Sequence, residues 1–542
     1  MDAEPVLQIS GLCVSFRTGG SLVPAVKDVS ISVAAGETVA VVGESGSGKS
    51  TTASAVNRLL PENGVITAGS IRFEGRELAD LGEHELIGLR GAGIGLVPQD
   101  PMSNLNPLMR VGDQIGEALE VHGRTHGRET DQRVIDLLEM VGIPEPANRA
   151  RQYPHEFSGG MRQRALIAMG LACGPRLLIA DEPTSALDVT VQRRVLDQLE
   201  SLTHELGTAV FLITHDLALA AERADRIVVM YHGEVVEEGP SAQVLGAPEH
   251  PYTRELIAAA PSLASRREPL VSRTVEQDRP PLVEVVGLVK EFGVRAAKSG
   301  QPRTFTAVDQ VSFAIRPGTT VSIVGESGSG KSTTASLLLG LEQPTAGKIM
   351  FDGVDVTGLK GRELFGFRRR VQPVFQNPYS SLDPRYTVGQ SIAEPLQVHR
   401  IGDADSRRAR VNELLEKVAL APEFASRLPH ELSGGQRQRV AIARALALDP
   451  DLVVLDEAVS ALDVLVQSQI LKLLAQLQSE LGLAYLFISH DLAVVRMISD
   501  EVHVMQRGRF VESGTPEEIF DNPQDPYTVE LLAAIPGGRL VA

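Results

Sequence analysis

The chain has 542 residues and a formal net charge of −17, with 52 Lys and Arg residues against 69 Asp and Glu residues. So acidic a surface repels phosphate backbones, which disfavours nucleic acid as a partner, and the length predicts several domains. No stretch reaches 18 uninterrupted apolar residues, so we expect no membrane-spanning helix. The two cysteines, Cys13 and Cys173, cannot form a disulfide framework, and the first residues lack the pattern of a secretory signal; both observations favour a cytosolic protein.

In chain order, the first predicted elements are β-rich runs, a short apolar strand (ETVAVV), a glycine-rich loop at 43–50 and a helix. Helices follow at RVIDLLEMV (133–141) and 162–173, and aliphatic strands at LLIAD (177–181) and AVFLITHD (209–216). Buried aliphatic strands that feed helices predict a parallel α/β sheet with ligands at the carboxyl ends of the strands.

The whole pattern occurs twice. VVGESGSGKSTTAS at 41–54 returns as IVGESGSGKSTTAS at 323–336, and FSGGMRQRALIA at 157–168 returns as LSGGQRQRVAIA at 432–443. This spacing is too long for a solenoid and indicates two duplicated domains. We predict a first domain over residues 1–261, an exposed charged linker over 262–281 and a second domain over 282–542.

GESGSGKS, at 43–50 and at 325–332, matches G-x-x-x-x-G-K-[ST] between an apolar strand and a helix. The glycines let backbone N–H groups wrap a phosphate, the lysine bridges the β- and γ-phosphates, and the serine ligates Mg²⁺. One match can be a chance glycine-rich turn, but two matches in register predict two nucleoside triphosphate sites. The residues predicted to bind nucleotide there are Gly43, Glu44, Ser45, Gly46, Ser47, Gly48, Lys49, Ser50 and Thr51, and Gly325, Glu326, Ser327, Gly328, Ser329, Gly330, Lys331, Ser332 and Thr333.

Two adjacent carboxylates follow each of the apolar runs LLIA and LVVL. Because successive strand residues point in opposite directions, we expect Asp181 and Asp456 to hold Mg²⁺ with Ser50 and Ser332. Glu182 and Glu457 are then placed to polarise a water that attacks the γ-phosphate. Such a pair alone is more often a solvated strand end; the phosphate loop in each half favours the functional interpretation.

His215 and His490 each end an apolar strand, at the same distance along the chain from the aspartate of their own half. A histidine at such a position is usually a structural cap, but the repeated spacing favours a γ-phosphate sensor with a neutral imidazole. Gln99 and Gln376 end the short runs IGLVPQ and VQPVFQ, where a polar loop residue is the ordinary interpretation.

FSGGMRQR and LSGGQRQR resemble the signature of ABC-type ATPases, and both halves resemble ABC nucleotide-binding domains over nearly their whole length. The resemblance implies two tandem α/β P-loop NTPase domains, each with a RecA-like core, a β-subdomain and a helical signature subdomain. It also implies that the two halves pair head to tail, with each ATP between the phosphate loop of one half and the signature of the other.

The resemblance implies that Gln99 and Gln376 bind ATP and Mg²⁺ and that Phe16 and Phe292 stack on adenine, although a core strand position is an equal alternative for the phenylalanines. The two implied sets are Lys49, Gln99, Glu182 and His215 with Ser433, Gly434, Gly435 and Gln436, and Lys331, Gln376, Glu457 and His490 with Ser158, Gly159, Gly160 and Met161. Met161 replaces the usual glutamine, so we expect two competent but unequal sites.

QDPMSNLNP and QNPYSSLDP, together with HPYTRELIAAAP and DPYTVELLAAIP, resemble segments of the ATPase subunits of dipeptide, oligopeptide and nickel importers, which are normally separate chains. Some of these relatives carry a cysteine cluster for an iron–sulfur centre after the first C-terminal segment. No cysteine follows Cys173, so no cluster is predicted.

The resemblance therefore implies an ATP-hydrolysing energy-coupling subunit, peripheral to the cytoplasmic face of the membrane. Its implied partners are two membrane-spanning permease subunits and an extracytoplasmic substrate-binding protein. Di- or oligopeptides are the expected substrates, with nickel, glutathione or another small solute as narrower alternatives. A soluble tandem ABC ATPase acting on ribosomes or nucleic acid is the alternative class, which the net charge and the short linker disfavour.

Overall fold

The computed structural model of the protein describes residues 4–100, 103–184, 187–260, 280–294, 303–375, 381–460 and 462–535. The chain separates into two compact units, with the division between residues 260 and 261. The predicted linker at 262–281 lies almost wholly outside the described residues, as does Gln376.

The strands described in the first unit are β1 (Leu7–Thr18), β2 (Ser21–Val33), β3 (Thr38–Val42), β4 (Gly64–Phe73), β5 (Arg76–Glu77), β6 (Ile94–Val97), β7 (Leu177–Asp181), β8 (Ala209–Ile213), β9 (Arg226–Tyr231) and β10 (Glu234–Pro240). Within this described set they form an antiparallel four-stranded sheet, β2-β1-β4-β5, and a six-stranded sheet, β10-β9-β3-β8-β7-β6. Neighbours in the larger sheet are parallel except for β9 and β10.

The helices described in the first unit are α1 (Lys49–Val56), α2 (Glu83–Leu89), α3 (Val111–Val121), α4 (Arg128–Met140), α5 (Pro146–Arg149), α6 (Gly159–Leu171), α7 (Val189–Leu206), α8 (Leu217–Arg223), α9 (Ser241–Gly246) and α10 (Pro251–Ala259). Helices α3, α4 and α6 pack on one another, and α6 also contacts β6 and α7. The helix predicted at 133–141 forms the second part of α4, and the one predicted at 162–173 lies mostly in α6.

The second unit repeats this order. Its described strands are β11 (Val283–Val294), β12 (Arg303–Ile315), β13 (Thr320–Val324), β14 (Ala346–Phe351), β15 (Val354–Asp355), β16 (Val371–Val374), β17 (Leu452–Asp456), β18 (Ala484–Ile488), β19 (Glu501–Gln506) and β20 (Arg509–Gly514). Over the described ranges they form the sheets β12-β11-β14-β15 and β16-β17-β18-β13-β19-β20.

The helices described in the second unit are α11 (Lys331–Leu338), α12 (Gly361–Arg370), α13 (Val388–Val398), α14 (Ala404–Lys417), α15 (Gly434–Ala445), α16 (Val464–Leu481), α17 (Leu492–Ile498), α18 (Pro516–Asp521) and α19 (Pro526–Ala533). No helix in the described part of the chain has the length and apolar character needed to cross a membrane.

The core of each unit lies around the parallel strands. In the first unit, Val41 of β3, Ile179 of β7 and Phe211 of β8 are fully buried and belong to one cluster with Leu7 of β1. Parallel strands are covered on both faces, which explains why these short runs are apolar throughout. Their carboxyl ends meet at one edge of the sheet, where the phosphate loop follows β3. The predicted tandem α/β nucleotide-binding domains are confirmed.

Candidate nucleotide-binding sites

Glycines determine the path of each phosphate loop. Gly43 has a φ of 152°, and a Cβ at this residue would lie 2.2 Å from the carbonyl oxygen of Met230. Gly325 is placed in the same way, 2.2 Å from the carbonyl oxygen of Met505. Only a residue without a side chain lets the loop pass this close to the end of the neighbouring strand.

The lysine of each loop folds back into it. Lys49 is 6% exposed, and its Nζ donates to the carbonyl oxygens of Gly43 at 2.7 Å and Glu44 at 2.8 Å. Lys331 makes the same two bonds, at 2.7 and 2.8 Å, in the second unit. The loop thus curls around an ammonium group, next to the N-terminus of α1 or α11, and both features attract phosphate.

A serine and an aspartate meet beside each loop. Ser50 Oγ lies 3.1 Å from Asp181 Oδ1, and Ser332 Oγ lies 3.2 Å from Asp456 Oδ1. Burial raises the pKa of Asp181 and of Asp456, and in each unit the charge of the following glutamate adds to the increase. Carboxylate and hydroxyl oxygens in this arrangement are the ligands that Mg²⁺ prefers in phosphate sites.

The glutamate after each aspartate occupies a left-handed turn. Glu182 has a φ of 46° and Glu457 a φ of 50°, and their N–H groups donate to Ile213 and Ile488, both at 2.9 Å. The aspartate and glutamate do separate, but through this turn and not through strand alternation, because β7 and β17 end at the aspartates. Non-glycine residues held in this region cost about 1–3 kcal/mol and concentrate at functional sites.

Histidine and glutamine side chains hold the carboxylate of Glu182. His215 Nδ1 lies 3.0 Å from Glu182 Oε1, and Gln99 Nε2 donates to Glu182 Oε2 at 2.7 Å. In the second unit, His490 Nδ1 lies 3.5 Å from Glu457 Oε2. Gln376, the expected counterpart of Gln99, lies outside the described residues.

These contacts change the ionisation of the pair. Burial opposes ionisation of Glu182, but the hydrogen bond and charge of His215 outweigh it and lower the pKa of the carboxyl. Burial likewise disfavours the imidazolium form, yet Glu182 raises the pKa of His215, and Glu457 raises that of His490. The pairing therefore favours the charged imidazole, whereas the sequence analysis expected a neutral one.

The SGG segments begin helices α6 and α15. Ser158 Oγ accepts the N–H of Met161 at 3.3 Å, and Ser433 Oγ accepts the N–H of Gln436 at 3.3 Å. Gln436 Oε1 also accepts the N–H of Ser433 at 3.0 Å, which completes a capping box. Met161 has no polar atom with which to return this bond, so the two helix starts differ.

Two family models match the chain in both halves. The model described as "ABC transporter" matches residues 26–185 and 308–460, and the model described as "Oligopeptide/dipeptide transporter, C-terminal region" matches residues 236–285 and 511–539. The chain belongs to the ABC transporter family of ATP-binding proteins. It is a member of the dipeptide/oligopeptide branch, with two ABC domains in one polypeptide, and its activity is ATP hydrolysis.

Curated relatives match this ABC ATPase over almost its whole length. The "Glutathione import ATP-binding protein GsiA" of Salmonella choleraesuis is 47% identical, over 99% of this chain and 90% of the relative. The protein of the same name from Escherichia coli K12 is 46% identical with the same coverage.

Solved structures of ABC cassettes match about half of the chain. The ATP-binding cassette MJ0796 bound to ADP and Pi is 32% identical and covers 43% of this chain and 98% of its own, with a TM-score of 0.39. The cbiO1 protein from Clostridium perfringens, part of the ABC transporter complex cbiONQ, is 30% identical and covers 45% of this chain and 92% of its own, with a TM-score of 0.40.

The aromatic residues proposed to stack on adenine lie in the antiparallel sheets of the two ABC domains. Phe16 of β1 is half-buried and pairs with Val23 and Gly64 of the adjacent strands. Phe292 of β11 is 37% exposed, with Lys290 Nζ 4.9 Å from the centre of its ring. Stacking of these rings on adenine stays a prediction.

Two tyrosines of the C-terminal segments also contact the phosphate loops of this ABC ATPase. The hydroxyl of Tyr252 accepts the N–H of Glu44 at 3.0 Å, and the hydroxyl of Tyr527 accepts the N–H of Glu326 at 3.0 Å. The sequence analysis used the PYT segments only to assign the branch of the family. Their recurrence at matching positions of the two halves, in register with the signatures, is the signal that points to a shared role.

Proposed function

We propose that the protein is the energy-coupling subunit of an importer of short peptides. The observation that carries this proposal is the duplicated site, in which each unit places a lysine-filled phosphate loop beside a Ser–Asp pair and a Glu–His pair. The oligopeptide-type C-terminal regions support the transporter role.

The proposed chemistry assigns one task to each group. Lys49 neutralises the β- and γ-phosphates, and Glu182 accepts a proton from the attacking water, as its lowered pKa allows. The charge of His215 orients Glu182, and the same roles fall to Lys331, Glu457 and His490 of the second unit.

The Ser–Asp oxygens fit Mg²⁺, a hard cation that completes its octahedral shell with phosphate oxygens and water. Ser50 and Asp181 would hold it in the first unit, and Ser332 and Asp456 in the second. Bound there, the cation would neutralise charge that develops on the phosphates. The assignment of Gln99 and Gln376 to the same ion rests on the family resemblance.

We also propose that each ATP is shared by the phosphate loop of one half and the SGG segment of the other. The N-termini of α6 and α15 suit this role because they present backbone N–H groups and a serine hydroxyl. The proposal includes unequal sites, since Met161 stands where the second signature has Gln436.

The proposed cargo is a di- or oligopeptide. The relatives named as glutathione importers favour glutathione, itself a tripeptide, as the second candidate. Partners in this proposal are two membrane-spanning permeases and an extracytoplasmic binding protein, and the chain works at the cytoplasmic face of the membrane. The relatives favour this class over an ATPase that acts on ribosomes or nucleic acid.

Co-purification with the permeases, followed by reconstitution with the binding protein, tests the proposal. We expect ATP hydrolysis to rise when the binding protein is loaded with a peptide or with glutathione, and to stay at the basal rate with Ni²⁺. Stimulation by Ni²⁺ alone would replace the cargo. Failure of every candidate to stimulate, or firm co-purification with ribosomes, would overturn the importer role.

A further inference from the structure

Each phosphate loop is held by a tyrosine from the far end of its own unit. Tyr252 lies 208 residues after Glu44 along the chain, and Tyr527 lies 201 residues after Glu326. Both tyrosines are buried, at 5% and 7% exposure. The same contact arises separately in two units whose C-terminal segments differ in sequence around it.

The tyrosine and the loop lysine grip opposite ends of one peptide group. The group that joins Gly43 to Glu44 offers its carbonyl oxygen to Lys49 Nζ at 2.7 Å and its N–H to the Tyr252 hydroxyl at 3.0 Å. In the second unit, the peptide between Gly325 and Glu326 is held by Lys331 and Tyr527 at the same distances. Because a peptide group is planar, fixing its N–H also fixes the carbonyl that positions the lysine.

A carboxylate from the last strand of each unit anchors the segment that carries the tyrosine. Glu237 of β10 accepts the N–H groups of Glu249 at 2.8 Å and His250 at 3.0 Å. His250 Nδ1 in turn accepts the N–H of Tyr252 at 3.2 Å and caps α10.

The second unit builds the same anchor from different residues. Glu512 of β20 accepts the N–H groups of Gln524 and Asp525, at 2.7 and 3.2 Å, and Asp525 caps α19 through the N–H of Tyr527 at 2.8 Å. A histidine cap and an aspartate cap thus deliver the tyrosine hydroxyl to the same place.

The turn before each of these strands closes a circuit. The N–H of Gly233, between β9 and β10, donates to the carbonyl oxygen of Ser47 at 3.1 Å, and that of Gly508 donates to Ser329 at 2.8 Å. Loop, tyrosine, anchor strand and turn therefore form one hydrogen-bonded ring in each unit. In the first unit, the Tyr252 ring also stacks on Tyr231, with centroids 4.1 Å apart.

We propose that Tyr252 and Tyr527 are positioning residues that set the affinity of the phosphate loops for ATP. The proposal rests on the proposed use of these loops and lysines for ATP, and it gives the C-terminal region of each unit a function at the nucleotide site. Loss of the hydroxyl leaves the peptide plane free to turn and moves the lysine. Such a change weakens ATP binding in the ground state and the transition state alike, so it raises KM more than it lowers kcat.

The test compares the full-length double variant Y252F/Y527F with Y485F. Tyr485 is a matched control, since it is 1% exposed and its hydroxyl donates to the carbonyl oxygen of Leu474 at 3.0 Å, outside the ring just described. We expect the KM for ATP to rise about fivefold in the double variant with kcat within about twofold of wild type, and to stay unchanged in Y485F.

A second variant, E237Q/E512Q, keeps both tyrosine hydroxyls but weakens their anchors, and we expect it to raise KM in the same direction. Equilibrium dialysis of ATP, with gel filtration to select folded protein, gives a readout that does not depend on turnover. Wild-type ATP affinity in folded Y252F/Y527F, or an equal loss in Y485F, would overturn the positioning role. Absence of ATP binding in the wild type would instead overturn the proposed function.

Discussion

Glu182 and Glu457 show how one residue in an unfavourable conformation can serve a reaction. Each glutamate directly follows an aspartate, yet the left-handed turn directs it to a histidine while the aspartate bonds to a serine. The two neighbouring carboxylates consequently experience opposite influences: Asp181 has a raised pKa and Glu182 a lowered one.

We expect E182Q and E457Q each to lower partner-dependent ATP hydrolysis at least tenfold, because glutamine cannot accept a proton from water at this position. Nucleotide binding should remain. The measurement is the release of phosphate by the assembled transporter, with the exposed residue change E205Q as control. Hydrolysis at the wild-type rate in both variants would contradict the role of these glutamates.

A second prediction concerns pH. Because Glu182 raises the pKa of His215, their pairing stabilises the first unit fully below about pH 6.5 and loses this contribution as pH rises through the higher folded-state pKa. We expect H215Q to lower the melting temperature of the first unit at about pH 6 more than at about pH 9. Calorimetry at several pH values measures this, and H126Q, at an exposed histidine, is the control. A difference that grows with pH would refute the pairing.

At the scale of elements, the starts of α6 and α15 differ by one residue. Gln436 closes a capping box with Ser433, and Met161 cannot do so with Ser158. Gly160 and Gly435, one residue earlier, have no room for a side chain, since a Cβ there would lie 2.6 Å from Val191 Cγ1 and 2.3 Å from Val466 Cγ1.

We expect M161Q to raise the free energy of unfolding of the first unit by about 0.5–1 kcal/mol, because the new amide can accept the N–H of Ser158. Calorimetry without nucleotide is the measurement. The reciprocal change, Q436M, should destabilise the second unit by a similar amount. Equal melting temperatures for all three proteins would show that the box contributes nothing.

The elements around the loops could be predicted because their signals are local. An apolar strand, glycines at fixed spacing and a helix-forming run suffice to place β3, the phosphate loop and α1. The left-handed turn at Glu182 depends instead on its bond to Ile213 at the end of the neighbouring strand, and no local pattern announces it. The contact between Glu44 and Tyr252 is longer still in sequence, and it emerges only when the sheet brings both to one edge.

At the scale of the whole molecule, duplication has preserved strand order, phosphate loops and anchoring rings while individual residues have diverged. Two complete sets of ATP-binding groups in one chain allow each to be disabled without changing the other, which separate subunits of identical sequence do not permit.

We expect K49A and K331A, made singly, each to leave less than about one tenth of wild-type ATP turnover, because the proposal makes the two sites act as a pair. Independent sites would leave about half. Steady-state hydrolysis by the assembled transporter separates the two outcomes, and K472A, at an exposed residue of α16, serves as control.

The ring that joins each loop to its own C-terminal segment also has a consequence for biosynthesis. Glu44 is made early, but the hydroxyl that completes its environment arrives 208 residues later. Domains fold as units from the N-terminus during synthesis, so the first loop stays incomplete until almost all of its unit has left the ribosome. A nascent chain interrupted before residue 252 therefore exposes a phosphate loop without its final brace, and ATP cannot prematurely stabilise an unfinished first domain through a fully formed site.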